Sequence, residues 1–230
     1  MSNQKSALIF GASRGLGLAI VRELLNQGWN VIATVRDEKR TQLHALAEQY
    51  KQHLEIEYID ITETKQIAIL KEKLNGRCFN LLFVNVGITN DRYETIGEVS
   101  TEEFVRVMVT NALSTMRVVE QFTENIRLGG TVGVMSSGQG SITNNVKGEF
   151  EVYRASKAAL NTLMRSFAAR RGNDHALLLL APGWVKTDMG GPDATFTIEE
   201  VLPDIVNTII AQEGKRGLQY IDRFGKTIRW

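Results

Sequence analysis

Tyr153 and Lys157 stand four positions apart in Tyr153-Arg154-Ala155-Ser156-Lys157, within a stretch whose pattern predicts a helix over about 152–170. Side chains at that spacing share one helix face, a turn apart. A phenol is a poor acid or base at neutral pH, with a reference pKa of about 10. A neighbouring ammonium favours the phenolate and draws that value toward the working range. The pair could therefore give a proton to a carbonyl oxygen or take one from an alcohol. Ser137 ends the apolar run that predicts a strand over Thr131–Ser136, where its hydroxyl can hold a substrate oxygen beside the phenol. Asn111 falls inside a long helical pattern from about Thr101 to Ile126, an unfavourable place for asparagine unless its side chain has a task. The competing reading makes Tyr153 and Lys157 surface helix residues and Asn111 a tolerated helix residue.

A second constellation lies near the start. Gly11-Ala12-Ser13-Arg14-Gly15-Leu16-Gly17 separates the apolar run Ala7–Phe10 from the helical pattern Leu16–Leu25, which Gly28 closes. Small residues let the chain turn sharply and bring backbone amides to a pyrophosphate, and the helix that follows supplies the positive end of its dipole. The next predicted strand is Val31–Val35. A site that prefers NAD places Asp or Glu at the end of this strand to bind the adenine ribose; here Val35 is followed by Arg36. No carboxylate repels a 2′-phosphate, and Arg14 and Arg36 could both pair with one bidentately. This favours NADP(H). The alternative is that both arginines are solvated surface groups.

These residues need a scaffold, and the remaining pattern supplies one. Helical stretches at about 38–50, 63–74 and 199–211 alternate with apolar strands at Leu54–Tyr58, Phe79–Val84, Ala176–Leu180 and Leu218–Ile221. Gly129 and Gly130 punctuate a turn before Thr131. Strand–helix alternation at this spacing predicts an α/β fold, a Rossmann-type doubly wound and mainly parallel sheet, and residues 1–230 read as one domain.

Composition narrows the classes further. Twenty-seven basic and 26 acidic residues give a net charge of +1, which calls for no nucleic-acid partner. No run reaches the length of a membrane-spanning helix, and MSNQKSALIF lacks a secretory pattern, so a soluble cytoplasmic domain is expected. Cys78 reads as a buried thiol at a strand start. His44, His53 and His175 are scattered, read as surface or helix residues, and with one cysteine make no metal-ligand spacing. Ser137 is not in a GxSxG elbow, and no Walker-type GK[ST] is present.

In this order the motifs resemble the short-chain dehydrogenase/reductase family over almost the whole chain. The glycine turn resembles TGxxxGxG, with Phe10 in place of threonine. Asp60 in Tyr58-Ile59-Asp60-Ile61-Thr62 is similar to the family's adenine-contacting aspartate, and Ile61 follows it. Val84-Asn85-Val86-Gly87 resembles NNAG at Asn85 and Gly87 only. Asn111, Ser137 and Tyr153-Arg154-Ala155-Ser156-Lys157 match the remaining motifs, and Pro182-Gly183-Trp184-Val185-Lys186-Thr187-Asp188 resembles the segment beside the nicotinamide. Within the family, Tyr153–Asn161 and Pro182–Gly191 look most like C-factor and sniffer-type carbonyl reductases.

The resemblance implies that Lys157 binds the nicotinamide ribose, Ser137 orients the substrate, Asn111 holds a relay water, and Thr187 meets the carboxamide or a phosphate. It implies NADPH-dependent reduction of an aldehyde or ketone, or the reverse oxidation, by a homodimer or homotetramer. The other class of function is an NADP(H)-binding regulatory or signalling protein with weak or absent turnover, motivated by Phe10, Val84 and Val86. Residues 190–197 are expected to begin a lid, Trp184, Met189 and Phe196 to be pocket walls or ordinary packing, and 143–149 to border the mouth.

Overall fold

The computed structural model describes residues 4–171 and 174–230. Strands β1 (Ser6–Phe10), β2 (Asn30–Val35), β3 (Leu54–Tyr58), β4 (Phe79–Val84), β5 (Ile126–Met135), β6 (Ala176–Ala181) and β7 (Gly217–Asp222) form one sheet in the order β3-β2-β1-β4-β5-β6-β7. Every neighbouring pair is parallel. Parallel neighbours need crossovers, and helices α1 (Gly15–Asn26), α2 (Gln42–Gln49), α3 (Thr64–Lys73), α4 (Thr101–Met108), α5 (Thr115–Phe122), α6 (Glu151–Arg171) and α7 (Ile198–Ile210) supply them. The expected fold class is the one observed.

Strand alternation feeds two cores, one on each face of the sheet. Ala7 and Ile9 point into a core with Ile20, Leu24, Leu43 and Ile205, which α1, α2 and α7 cover. Leu8 and Phe10 point into the other, with Leu70, Val119, Leu160 and Phe167 from α3, α5 and α6. A continuous apolar strand is thus buried on both sides. Phe10 and Val84, which depart from the family motifs, are fully buried, and Phe10 packs on Phe122 with ring centroids 5.1 Å apart. Their bulk fills the core beneath the glycine turn.

Four local expectations are corrected. The stretch 101–126 is not one α-helix: Val109–Ser114 is a π-helical segment, and the Thr115 hydroxyl donates to the Thr110 carbonyl five residues back. Gly129 and Gly130 lie inside β5 rather than before it. Pairing shifts from Phe79 opposite Ile126 to Leu81 opposite Thr131, and Gly129 takes φ +76° in the bulge that absorbs the extra residues. Cys78 is exposed, whereas His175 is buried at the start of β6, where burial lowers its pKa. Apolar neighbours in sequence place a strand but do not say which residue beside it is covered. No helix among the described residues is long and apolar enough to cross a membrane.

Candidate active site

The order reverses between β1 and β4, whose crossovers leave on opposite faces, and this opens a crevice at the carboxyl ends of the strands. The turn from β1 to α1 lies there. Gly11 takes φ +82°, its N–H donates to the Thr34 hydroxyl (3.1 Å), and the Ala12 N–H donates to the Thr34 carbonyl (2.9 Å). Asn85 Nδ2 donates to the Gly11 carbonyl (3.2 Å), tying the end of β4 to the turn. A Cβ on Gly17 would overlap the Gly11 carbonyl and come within 2.7 Å of Asn85 Nδ2. Arg14 is the N-cap of α1, yet no side chain caps that helix. Its first amides are therefore available to an anion, and the partly exposed Ser13, Gly15 and Leu16 line the same turn. A dinucleotide phosphate fits this cradle on backbone grounds alone.

The arginines are less settled in place. Arg36 is exposed just beyond β2. The Arg14 guanidinium is ion-paired with Asp188 across the crevice, both side chains being mostly exposed. Such a pair is worth at most about 1 kcal/mol, so a phosphate can displace Asp188 at small cost. One carboxylate oxygen of Asp60 accepts from the Thr62 N–H (2.9 Å) and hydroxyl (2.7 Å), and Ile61 is buried in the core.

The other half of the crevice holds the titratable groups. Lys157 is buried, its Nζ donates to the Met135 carbonyl (2.9 Å), and it lies 5.8 Å from the centre of the Tyr153 ring. Burial pulls the ammonium down to about 8. Burial pushes the Tyr153 phenol up to about 12; the neighbouring Ser137 hydroxyl pulls the other way, and Tyr220 adds to the rise. In the protein alone, desolvation of the phenol outweighs any help from Lys157, so the expected lowering of the tyrosine pKa is not met. Asn111 is fully buried in the π-helical segment. Its Oδ1 accepts from the Ile88 N–H (2.8 Å), and its Nδ2 donates to the Ile88 carbonyl (2.8 Å) and the Ser156 hydroxyl (2.9 Å). The asparagine thus clamps the segment after β4 to α6, using both amide hydrogens and one of the two lone pairs of Oδ1.

The two halves meet at Gly87. A Cβ there would sit 3.4 Å from Lys157 Nζ, 3.7 Å from Asn111 Oδ1 and 3.8 Å from Met189 Cε. The segment after β6 forms the far wall. Val185 is buried, Gly183 takes φ +94°, and the Pro182 carbonyl accepts from Arg223 (3.2 Å). The Thr187 hydroxyl accepts from the Gly190 N–H (3.1 Å), and the Thr187 methyl lies 3.7 Å from where a Gly15 Cβ would stand. Size alone would mislead here, since an open depression of about 620 Å³ lies against Gln4, Lys5, Gly28, Trp29 and Ile210 at the opposite end of the strands.

A model of the family described as short chain dehydrogenase matches residues 5–196, from β1 through the wall after β6. The chain belongs to the short-chain dehydrogenase family. It is similar to a Burkholderia multivorans short-chain dehydrogenase/reductase solved with bound NADP, at 53% identity and a TM-score of 0.97 over 99% of this chain and 100% of that one. A carbonyl reductase from Pseudomonas aeruginosa PAO1 in complex with NADP superposes at a TM-score of 0.91 and 31% identity, over 99% and 100% of the two chains. The C-signal protein of Myxococcus xanthus is 32% identical over 154 residues, 66% of this chain and 92% of that protein.

Several groups in this short-chain dehydrogenase escape sequence reasoning. Tyr220 reaches the site from a distant segment and carries no local signal, and Asp188, which ends the motif beside the nicotinamide, gave no sign of its pairing with Arg14. Asn161 does have one, since it continues the Tyr153–Lys157 stripe by four further residues. Half-buried Phe196 packs against the core and against Arg223, whose guanidinium lies 4.1 Å from its ring centre. Met189 faces the gap at Gly87, while the Trp184 indole N–H donates to the Gly190 carbonyl (2.9 Å). Glu149 and Phe150, just before α6, take φ +51° and +54°, and the Phe150 N–H donates to the Arg92 carbonyl (3.0 Å). Side chains rarely tolerate that region, so the entry of the Tyr153 helix is held under strain.

Gly17→Ala is expected to weaken NADPH binding at least about tenfold and to lower Tm, because the overlapping atoms belong to backbone that cannot swing away. Fluorescence titration with a parallel melt measures both, and unchanged affinity would mean the phosphate lies elsewhere.

Proposed function

We propose that this chain is an NADPH-dependent carbonyl reductase. The observation that carries the reading is the meeting of Ser137, Tyr153 and Lys157 with an uncapped glycine turn across the gap at Gly87. NADP-bound relatives at 53% and 31% identity support the choice of cofactor.

When bound, NADPH supplies the hydride. The Gly11–Gly17 turn and the N-terminus of α1 would hold its phosphates, Arg14 and Arg36 its 2′-phosphate, and Asp60, Ile61, Asn85 and Gly87 would border its adenine and ribose. Pro182, Gly183, Val185 and Thr187 would flank the nicotinamide. Ser137 holds the substrate oxygen, and Tyr153 donates its proton to that oxygen as the carbon is reduced. The raised pKa keeps the phenol protonated at neutral pH, the form that reduction requires. Lys157, already displaced toward neutrality, binds the nicotinamide ribose and returns a proton to the phenolate. Asn111 holds α6 in place for both.

The test is a paired equilibrium titration with NADPH and NADH, followed by a carbonyl screen. NADPH is expected to bind about 10–100-fold more tightly, the worth of one or two charge-assisted contacts to the 2′-phosphate. Arg14→Gln/Arg36→Gln is expected to erase that difference and leave NADH affinity unchanged. Equal affinities in the unaltered chain would overturn the arginine assignment, and binding of neither would overturn the enzyme. NADPH binding without turnover of any carbonyl would favour the regulatory reading.

A further inference from the structure

The loop that carries Ser137 has its own supports, and they come from outside the motifs. The Tyr220 hydroxyl, on β7, donates to the Ser137 carbonyl at 2.5 Å. Asn161 grips both sides of the same loop: its Oδ1 accepts from the Ser136 hydroxyl (2.6 Å) and its Nδ2 donates to the Gly140 carbonyl (3.2 Å). The space behind Gly140 is full, since a Cβ there would come within 2.8 Å of Asn161 Nδ2. Tyr220 is itself pinned. It is 2% exposed, its carbonyl accepts from the Ile228 N–H (2.9 Å), and its ring meets Trp230 with centroids 5.3 Å apart. The Trp230 carbonyl in turn accepts from the Thr143 N–H (3.1 Å), farther along the same loop.

We propose that Tyr220 is a positioning residue for the reduction: its hydroxyl fixes the Ser137 peptide, and with it the direction in which the Ser137 hydroxyl points. This rests on the reading of Ser137 and Tyr153 as the reacting pair. The Ser137 hydroxyl also accepts from the Gln139 N–H (3.1 Å), so its direction depends on how the Ser137–Gly140 turn is seated. Tyr220 and Asn161 seat that turn from two elements, a strand and a helix. Misplacement of a reacting group by about 1 Å can cost on the order of 100-fold in rate. A missing hydroxyl beneath Ser137 acts through that route, whereas the glycine turn that would hold the NADPH phosphates lies on the other side of the crevice.

The experiment is a double-mutant cycle with 4-nitrobenzaldehyde as the carbonyl probe and NADPH as reductant. Tyr220→Phe keeps the ring on Trp230 and removes only the hydroxyl. It is expected to lower kcat about 10–100-fold and leave the NADPH Kd within about twofold. On a Ser137→Ala background the same change is expected to cost less than about twofold, because a positioning residue has nothing left to position. Trp230→Leu, which loosens the ring but retains the hydroxyl, is expected to act in the same direction by a smaller factor. Equal losses from Tyr220→Phe with and without Ser137, or no loss at all, would overturn the proposal. Ser137→Ala with unchanged kcat would instead overturn the reading of the site on which it rests.

Discussion

Tyr153→Phe is expected to lower aldehyde turnover about 10²–10⁴-fold while NADPH binds as before. The phenol has two distinct relations in the structure. Its hydroxyl lies beside Ser137, and its ring packs near Lys157 without a bond to the glycine turn. Phenylalanine keeps the ring and deletes the proton. Burial holds the Tyr153 pKa near 12, so the unaltered enzyme carries that proton across the whole neutral range. A raised tyrosine pKa also means that the folded state prefers the neutral phenol. The stability this contributes is complete below about pH 10 and is lost as pH rises toward 12. Single-turnover kinetics beside a fluorescence titration separate the two effects. Turnover surviving in the variant would move proton donation to another group, and a parallel loss of NADPH binding would make Tyr153 structural.

Lys157→Met is expected to move stability and turnover in opposite directions. The lysine pKa falls from 10.5 to about 8 because its charge is buried with a single carbonyl partner. Between those values the unfolded chain binds more protons than the folded one, so stability rises with pH through that window. Below about pH 8 the full cost of the buried charge is borne. That cost is on the order of 3 kcal/mol, offset in part by the bond to Met135. Methionine fills a similar space without charge. Urea unfolding at pH 7 is expected to show a gain of about 1–3 kcal/mol that shrinks as pH rises from about 8 to 10.5, together with loss of turnover. A destabilised variant would show that Lys157 is better solvated than its surroundings indicate.

This trade-off explains why so much of the site could be read from the sequence. Sites that need a desolvated ammonium, a strained turn or a bare helix end leave residues that local structure would not choose. Lys157 sits on an inward helix face, Asn111 in mid-helix, and three glycines open a helix. Each departs from the pattern around it, and the structure places each one at the crevice. The π-helical segment was signalled only faintly, by Asn111 itself among β-branched neighbours. Which arginine faces which partner was not legible, because Arg14 and Asp188 are 174 residues apart and both are exposed.

The sequence by itself determined the alternation of strands and helices, the glycine turn at the first crossover, and the single face shared by Tyr153 and Lys157. These follow from periods of 2 and 3.6 and from the steric demands of one tight turn, all of which act between residues a few positions apart. Only the tertiary structure decided the sign of the Tyr153 shift, the clamp made by Asn111, and the support of Ser137 by Tyr220 and Asn161. Desolvation and hydrogen bonds depend on which distant segments close over a group, and the Tyr220–Ser137 bond spans 83 positions that no local period connects.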